Sequence, residues 1–299
     1  PNKAAAILEG SKAFAKDLMK KYAIPTASYE TFTDYEKALA YVEKSSFPLV
    51  IKADGIAAGK GVIIAQDLEE GREALKEIMV DQKFAEAGAS VVIEEFLEGE
   101  EFSLLAFVSG EIVMPMKVVQ DHKRAFDEDL GLNTGGMGVY MPIKHISDAD
   151  INEALEKVVK PTAKAMIKEG RPFKGILFAG LMKTKDGIKT IEYNVRFGDP
   201  ETEIILLSME TSLYDLAQAV LDGREMEIKW KDRSYIGVVL ASKGYPESYE
   251  KGFEITGLDG LDSKVYHMGT KESDGKIITN GGRVLIVCAE GETLAQARE

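Results

Sequence analysis

Thr190-Ile191-Glu192-Tyr193-Asn194-Val195-Arg196-Phe197-Gly198-Asp199-Pro200-Glu201 is the stretch whose reading decides the fold. Its first eight residues alternate, which predicts a strand with Ile191, Tyr193, Val195 and Phe197 on one face. Glu192, Asn194 and Arg196 fall on the other. A carboxylate and an amide oxygen one pleat apart are hard donors that suit Mg2+, an ion that keeps waters and takes few protein ligands. A guanidinium next along the same face suits a phosphate oxygen. Gly198 then breaks the strand, Asp199 is placed to cap a helix, and Pro200 fits its first turn. The same pattern also describes the solvent face of an ordinary amphipathic strand. The decision between the two lies upstream.

At 299 residues the chain has room for one or two domains and a small appendage. Its 45% hydrophobic and 29% charged content is that of a soluble globular protein. No apolar run approaches a membrane span and no signal peptide opens the chain. The single cysteine, Cys288, lies in the apolar run 284–289 and reads as core. An intrachain disulfide is therefore excluded, which fits a reducing cytoplasm. With three scattered histidines (His122, His145, His267), zinc clusters are excluded too. A net charge of −13 argues against nucleic acid or an anionic membrane as partner. It leaves a phosphorylated small molecule open, because screening over about 8 Å lets local Lys and Arg decide what a cleft binds. Pro1 enters an Ala-rich helical pattern and Glu299 ends inside a young helix, so both ends read as cut from something longer.

Periodicity predicts helices over 3–22, 34–44, 69–79, 150–169 and 203–221, with Pro161 expected to kink or break the fourth. Strands are predicted over 48–53, 62–65, 90–95 and 101–108. A hairpin pairs 174–184 with 188–197 through Asp186-Gly187. From Gln120 to Pro142 the pattern dissolves into charges and glycines, the mark of a long irregular loop. After Gly223 short strands follow at 228–230, 235–242, 253–257, 265–269, 276–279 and 283–289. A boundary near residue 225 divides the chain into domains 1–225 and 226–299.

Three segments carry candidate chemistry. Gly55, Gly59 and Gly61, with Lys60 among them and Lys52 on the preceding strand, form a loop able to close over a triphosphate. A plain hairpin turn is the alternative. It is not a Walker A loop, since Lys60 runs into Gly61 and a strand, and no G-x-G-x-x-G fits. The second segment, Glu94 to Glu101, joins two strands through a kink. Backbone leaving a sheet can pair with an adenine edge, and a following carboxylate can take ribose hydroxyls; an exposed acidic connection is the plainer reading. The third, 120–138, brackets the irregular region with Lys123 and Arg124 at one end and Asn133-Thr134-Gly135-Gly136 at the other. His122 is weighed as a general base against a surface loop histidine, the safer of the two. No nucleophile–base pair argues for covalent catalysis through a side chain.

Taken together, KADGIAAGKGVIIA (52–65), EEFLEGEEFS (94–103), QDHKRAFDEDLGLNTGGMGVYMP (120–142) and IEYNVRFGDPE (191–201), in that order, resemble the ATP-grasp superfamily. Within it they are similar to the phosphoribosylamine–glycine ligase (glycinamide ribonucleotide synthetase) family. GYP (244–246) and TNGGRVL (279–285) extend the match over nearly the whole chain. The resemblance implies an α+β fold: an ATP-grasp domain at 1–225 holding ATP between two α+β lobes, one a lid at about 27–95, and a small mainly-β domain at 226–299.

Residue by residue, the resemblance implies Lys52 on the α/β-phosphates and Gly55, Gly59, Lys60 and Gly61 over the β/γ-phosphates. It puts the Glu94 and Leu97 backbones on adenine, Glu101 on the ribose and Met182 against the base. Glu192 and Asn194 match the metal ligands for Mg2+ or Mn2+, and Arg196 the phosphate-stabilising arginine. Asp199 and the segment holding Asp121, Lys123, Asn133, Thr134, Gly135 and Gly136 are similar to parts that shape the acceptor pocket. The implied reaction is cytoplasmic purine synthesis: glycine, 5-phosphoribosylamine and ATP give glycinamide ribonucleotide, ADP and phosphate through a glycyl phosphate.

Two departures stand out. Many ATP-grasp enzymes carry a further metal carboxylate where this sequence has Gly180. This ligase family also has an N-terminal domain that helps hold the phosphoribosylamine phosphate, and this chain begins after it. Residues 1–299 alone are therefore expected to bind nucleotide and to synthesise little. The alternatives are another ATP-grasp carboxylate–amine ligase and a non-catalytic nucleotide-binding module.

Overall fold

Local signals cut the chain more finely than its periodicity suggests. The helix expected over 3–22 is interrupted at Ser11, which is extended and whose hydroxyl accepts the Phe14 N–H, starting a new helix. The computed structural model describes residues 1–55, 61–81, 83 and 88–299. In chain order its elements begin α1 Ile7–Gly10, α2 Lys12–Lys21, β1 Tyr29–Phe32, α3 Tyr35–Val42, β2 Leu49–Ala53, β3 Val62–Ala65, α4 Leu68–Leu75, β4 Val91–Glu95, β5 Glu100–Ser109 and β6 Ile112–Pro115. Then come β7 Gln120–Phe126, β8 Leu130–Met141, α5 Asp148–Ala154, α6 Lys160–Lys168, β9 Lys174–Thr184, β10 Gly187–Asn194, α7 Glu201–Ser208 and α8 Leu213–Asp222. The last are β11 Ser234–Ala241, β12 Lys264–His267, β13 Thr270–Ser273, β14 Lys276–Thr279, β15 Arg283–Gly291 and α9 Leu294–Arg298. They fall into two compact units: Pro1–Pro115 with Ile146–Arg196 and Ala217–Met226, and Met116–His145 with Phe197–Leu216 and Glu227–Glu299.

The first unit holds two antiparallel sheets, ordered β1-β4-β2-β3 and β10-β9-β5-β6. Asp34 and Asp67 cap α3 and α4 by accepting the Lys37 and Glu70 N–H groups. Both helices cover the first sheet through a core of Ala38, Val42, Ile51, Ala74, Leu75 and Ile93. In the second sheet β9 and β10 make the predicted hairpin, but the turn is Lys185-Asp186 and Gly187, at φ +104°, opens β10 opposite Thr184. Two expectations need correction here. β10 ends at Asn194, and a bulge between Thr190 and Glu192 shifts its register. The extra residue reverses the alternation, so Ile188 and Thr190 are buried before the bulge and Tyr193 after it. Pro161 does not break its helix either. A π turn at Leu155–Val159 precedes it and runs directly into α6, with the proline in the first turn, where its missing N–H costs little.

The second unit is built on a sheet ordered β12-β15-β11-β8-β7. The segment 120–142 is thus a hairpin, not an irregular loop. Its β8 pairs with β11, from Met141 opposite Tyr235 to Gly138 opposite Val238. Glycines and charges hid the strand pattern, and the partner that orders it arrives about a hundred residues later. Gly237 permits the close packing: a Cβ there would lie 2.8 Å from Ile286 Cδ1 and 3.0 Å from Val139 Cγ1. The helix expected over 203–221 is two, parted where Met209 bridges Trp230. Strands expected at 228–230 and 253–257 shrink to single bridges at Trp230 and Glu254. Cys288 is fully buried on β15. No helix among the described residues is long and apolar enough to cross a membrane.

Candidate nucleotide and acceptor sites

In the first unit Lys52 projects from β2 and is buried, beside two lysines that the sequence reading missed. Glu94 of β4 stands between Lys52 and Lys16: Lys16 Nζ donates to Oε2 at 2.8 Å. Lys52 Nζ lies 2.9 Å from Oε1, off the hydrogen-bonding direction, so that contact is Coulombic. Lys52 also donates to the carbonyl of Ile191, the bulge residue, at 3.3 Å. Burial outweighs Glu94 at Lys16 and pulls its ammonium down to about 8. Lys12, in the first turn of α2, donates to the carbonyls of Ala53 and Gly55 at 3.1 and 2.7 Å. Burial lowers its pKa, against the pull of Glu192, and Lys52 adds to the depression. One sequence signal was available: a cation in the first turn of a helix runs against the macrodipole. Asp54 fixes this corner by accepting from Ser11, the Ala13 N–H and Ser90 at 3.0–3.3 Å.

Gly55 and Gly61 flank the expected phosphate loop, closed at its base by the Ala53 N–H on the Gly61 carbonyl at 2.8 Å. Gly59 and Lys60 lie outside the described residues. Of the other residues expected around ATP, two are brought together. Glu101 and Met182 are cross-strand partners on β5 and β9. Leu97 is half-buried in the short connection before them, where Gly99 is required: a Cβ would meet the Lys183 carbonyl at 2.1 Å. The Glu94 main chain lies between β1 and β2, opposite Tyr29 and Val50.

At the end of β10, Glu192 stands opposite Gly180, and a Cβ on Gly180 would touch its Cγ at 3.3 Å. Arg196 is exposed, with Nε 3.2 Å from Glu9 Oε1 and Nη2 3.3 Å from Asn194 Oδ1. Glu9 Oε2 accepts the Val195 N–H at 2.8 Å, which anchors the chain where the strand stops. Among the described residues no group of three or more acidic, His or Cys side chains could enclose a metal. Glu192 and Asn194 are thus two hard oxygen donors with no third carboxylate. This set fits a divalent ion whose remaining ligands are water and nucleotide oxygens.

The second unit holds the residues expected around the acceptor. Asp121 is buried on β7, with Lys123 Nζ 4.0 Å away. Glu201, which the sequence reading did not single out, is buried at the start of α7. Burial, and then the Asp121 carboxylate, push its carboxyl up to about 8. Across the hairpin the Thr134 hydroxyl donates to the Lys123 carbonyl at 2.8 Å and accepts the Gly136 N–H at 3.0 Å. Asn133 is exposed, and Asp199 is half-exposed beside Arg283, 3.0 Å from its Nη1. His122 is exposed and stacks on Tyr140, as a surface histidine does.

These sheets, with paired lysines under a strand that carries hard oxygen donors, define an ATP-grasp fold. Solved structures agree. Campylobacter jejuni biotin carboxylase matches at TM-score 0.76 and 14% identity over 97% of this chain and 64% of its own, a likeness of fold alone. The family models go further: the ATP-grasp (A) domain of phosphoribosylglycinamide synthetase matches residues 10–202, and its C domain residues 235–299. The chain therefore belongs to the phosphoribosylglycinamide synthetase (phosphoribosylamine–glycine ligase) family of ATP-dependent ligases. The ligase of Halalkalibacterium halodurans is 54% identical over 300 residues, covering all of this chain and 70% of the relative. That of Vibrio vulnificus is 51% identical over 305, covering all of this chain and 71% of the relative. The Thermotoga maritima phosphoribosylamine–glycine ligase structure superposes at TM-score 0.93 with 40% identity, over all of this chain and 75% of its own.

Proposed function

We propose that this chain ligates glycine to 5-phosphoribosylamine with cleavage of ATP, giving glycinamide ribonucleotide, ADP and phosphate, in the cytoplasm and with Mg2+ or Mn2+. The observation that carries the reading is the corner where Lys52 bonds to the Ile191 carbonyl of β10 and Lys12 feels the charge of Glu192, on a strand that ends at Asn194 two residues before Arg196. We keep 1–225, with a lid at about 27–95, as the ATP-grasp domain and 226–299 as the small C-terminal domain.

A carboxylate is a poor acyl donor because oxide is a poor leaving group, so glycine first takes the γ-phosphoryl group of ATP. That step brings two anions together. Lys52 holds the α/β-phosphates, Gly55 to Gly61 cover the β/γ-phosphates, and Arg196 stabilises charge on the transferring oxygens. Glu192 and Asn194 hold the divalent ion, which when bound screens the phosphate oxygens. The backbones of Glu94 and Leu97 take adenine, Met182 packs on it, and Glu101 binds the ribose. Asp121, Lys123, Asn133 to Gly136 and Asp199 shape the pocket in which the amine attacks the acyl phosphate. Mass spectrometry of reactions with glycine, phosphoribosylamine and Mg-ATP, run with the family's N-terminal domain supplied, tests the assignment. Glycinamide ribonucleotide is expected in step with ADP, and a different amide product would replace this reading with another ATP-grasp ligase.

A further inference from the structure

Arg283 begins β15, more than eighty residues after every residue assigned above, and its side chain is 19% exposed. Its Nη1 donates to the Asp199 carbonyl at 2.7 Å and the Gly135 carbonyl at 2.9 Å, reaches the Gly136 carbonyl at 3.4 Å, and pairs with Asp199 Oδ1 at 3.0 Å. Tyr245 supplies the complementary contact: its hydroxyl accepts the Gly135 N–H at 2.9 Å. Both main-chain polar groups of Gly135 are thus held by side chains from the C-terminal segment, Arg283 at the start of β15 and Tyr245 in the turn after β11. The glycines fit this clamp closely. A Cβ on Gly135 would sit 2.8 Å from the Arg283 guanidinium carbon, and one on Gly136 would sit 2.5 Å from Pro200. One on Gly282 would meet the Tyr245 ring at 2.1 Å.

We propose that Arg283 and Tyr245 are positioning residues for the amine acceptor: they lock the Thr134–Gly136 stretch of β8 to the Asp199–Pro200 turn before substrate arrives. The proposal rests on the reading above that these two segments shape the acceptor pocket. A Gly-Gly pair in a strand has wide conformational freedom when nothing packs against it. Fixing it in advance removes an ordering cost from substrate binding and holds the reacting amine in line. The guanidinium makes the clamp strong because its bonds are charge-assisted. Asp199 remains 49% exposed, so its carboxylate is oriented and still open to a ligand. The C-terminal domain, on this account, builds half of the acceptor site's scaffold.

The test combines hydrogen exchange with kinetics on the enzyme and on Arg283→Ala, Arg283→Lys, Tyr245→Phe and Gly135→Ala. In Arg283→Ala the amides of 133–137 should exchange at least about 10-fold faster, while those of β2, β4 and β10 keep their protection. KM for phosphoribosylamine should rise on the order of 10²-fold with KM for ATP unchanged, the effect of two lost charge-assisted bonds. Lysine should recover part of the loss. Gly135→Ala should reproduce it with Arg283 present, and Tyr245→Phe should give a smaller shift in the same direction, so the result does not hang on one variant's folding. Unchanged exchange at 133–137 together with an unchanged acceptor KM, or an equal rise in both KM values, would overturn the clamp. If exchange responds as expected but the unsubstituted enzyme makes no glycinamide ribonucleotide even with the family's N-terminal domain supplied, the clamp stands and the reaction assignment falls.

Discussion

The two units hold their functional groups by opposite means. In the first, opposite charges pair, with main-chain carbonyls helping: Glu94 sits buried between Lys16 and Lys52, and Glu9 pairs with Arg196. In the second, side chains hold backbone: Arg283 and Tyr245 grip Gly135, and Thr134 bonds to the Lys123 carbonyl. The difference follows from what each region is proposed to recognise. A triphosphate is recognised by charge, so its lysines must be kept in place by an anion while no nucleotide is bound. A small amine acceptor is recognised by shape, so what must be fixed is the path of the main chain.

The contrast breaks most visibly at Glu94. Glu94→Gln leaves two buried ammonium groups without their anion and should cost about 3–5 kcal/mol of stability in a denaturant titration. A loss below 1 kcal/mol would mean the lysines do not depend on it. Next comes Glu192→Gln, which keeps shape while removing the charge proposed to hold the divalent ion. Turnover should fall at least about 10²-fold with the melting temperature nearly unchanged, and near-normal turnover would return this strand to an ordinary polar face.

On the acceptor side, Glu201→Gln reads a buried proton. The folded state holds that proton more tightly between the ordinary pKa of 4.5 and about 8, so stability falls as pH rises through this window and is flat above it. Asp121, Lys123 and Glu203 are the charged groups that act on it. The glutamine variant should therefore gain on the parent by on the order of 1–3 kcal/mol at pH 8.5 and hardly at all at pH 4.5. A difference constant with pH would place the proton elsewhere. The smallest effect is expected from Glu101→Ala, where a ribose contact serves binding uniformly: KM for ATP should rise about 10-fold with kcat nearly kept. A defect in glycine use instead would move the nucleotide to another segment.

What could be read from the sequence depended on how local the cause was. The β9–β10 hairpin was legible because Asp186-Gly187 and the flanking strands lie within twenty-one residues. The bulge at Ile191 was not, since one inserted residue leaves no mark on composition. The 120–142 hairpin read as a loop because β11, far along the chain, supplies its order. Lys52, Glu192 and Asn194 stood out by spacing, whereas Lys12 and Lys16 sit on a helix whose pattern is explained without them. Arg283 was the least visible. It reaches Gly135 across 148 residues, and nothing in its neighbourhood announces the contact.

The central claim is that glycine is activated by taking the γ-phosphoryl group before the amine attacks. Glycine labelled with ¹⁸O in its carboxylate tests it most directly. Attack of a carboxylate oxygen on the γ-phosphorus, followed by cleavage of the C–O bond as the amide forms, leaves that oxygen on phosphate. The account predicts one ¹⁸O in each inorganic phosphate released alongside glycinamide ribonucleotide. Amide product formed with unlabelled phosphate would contradict it.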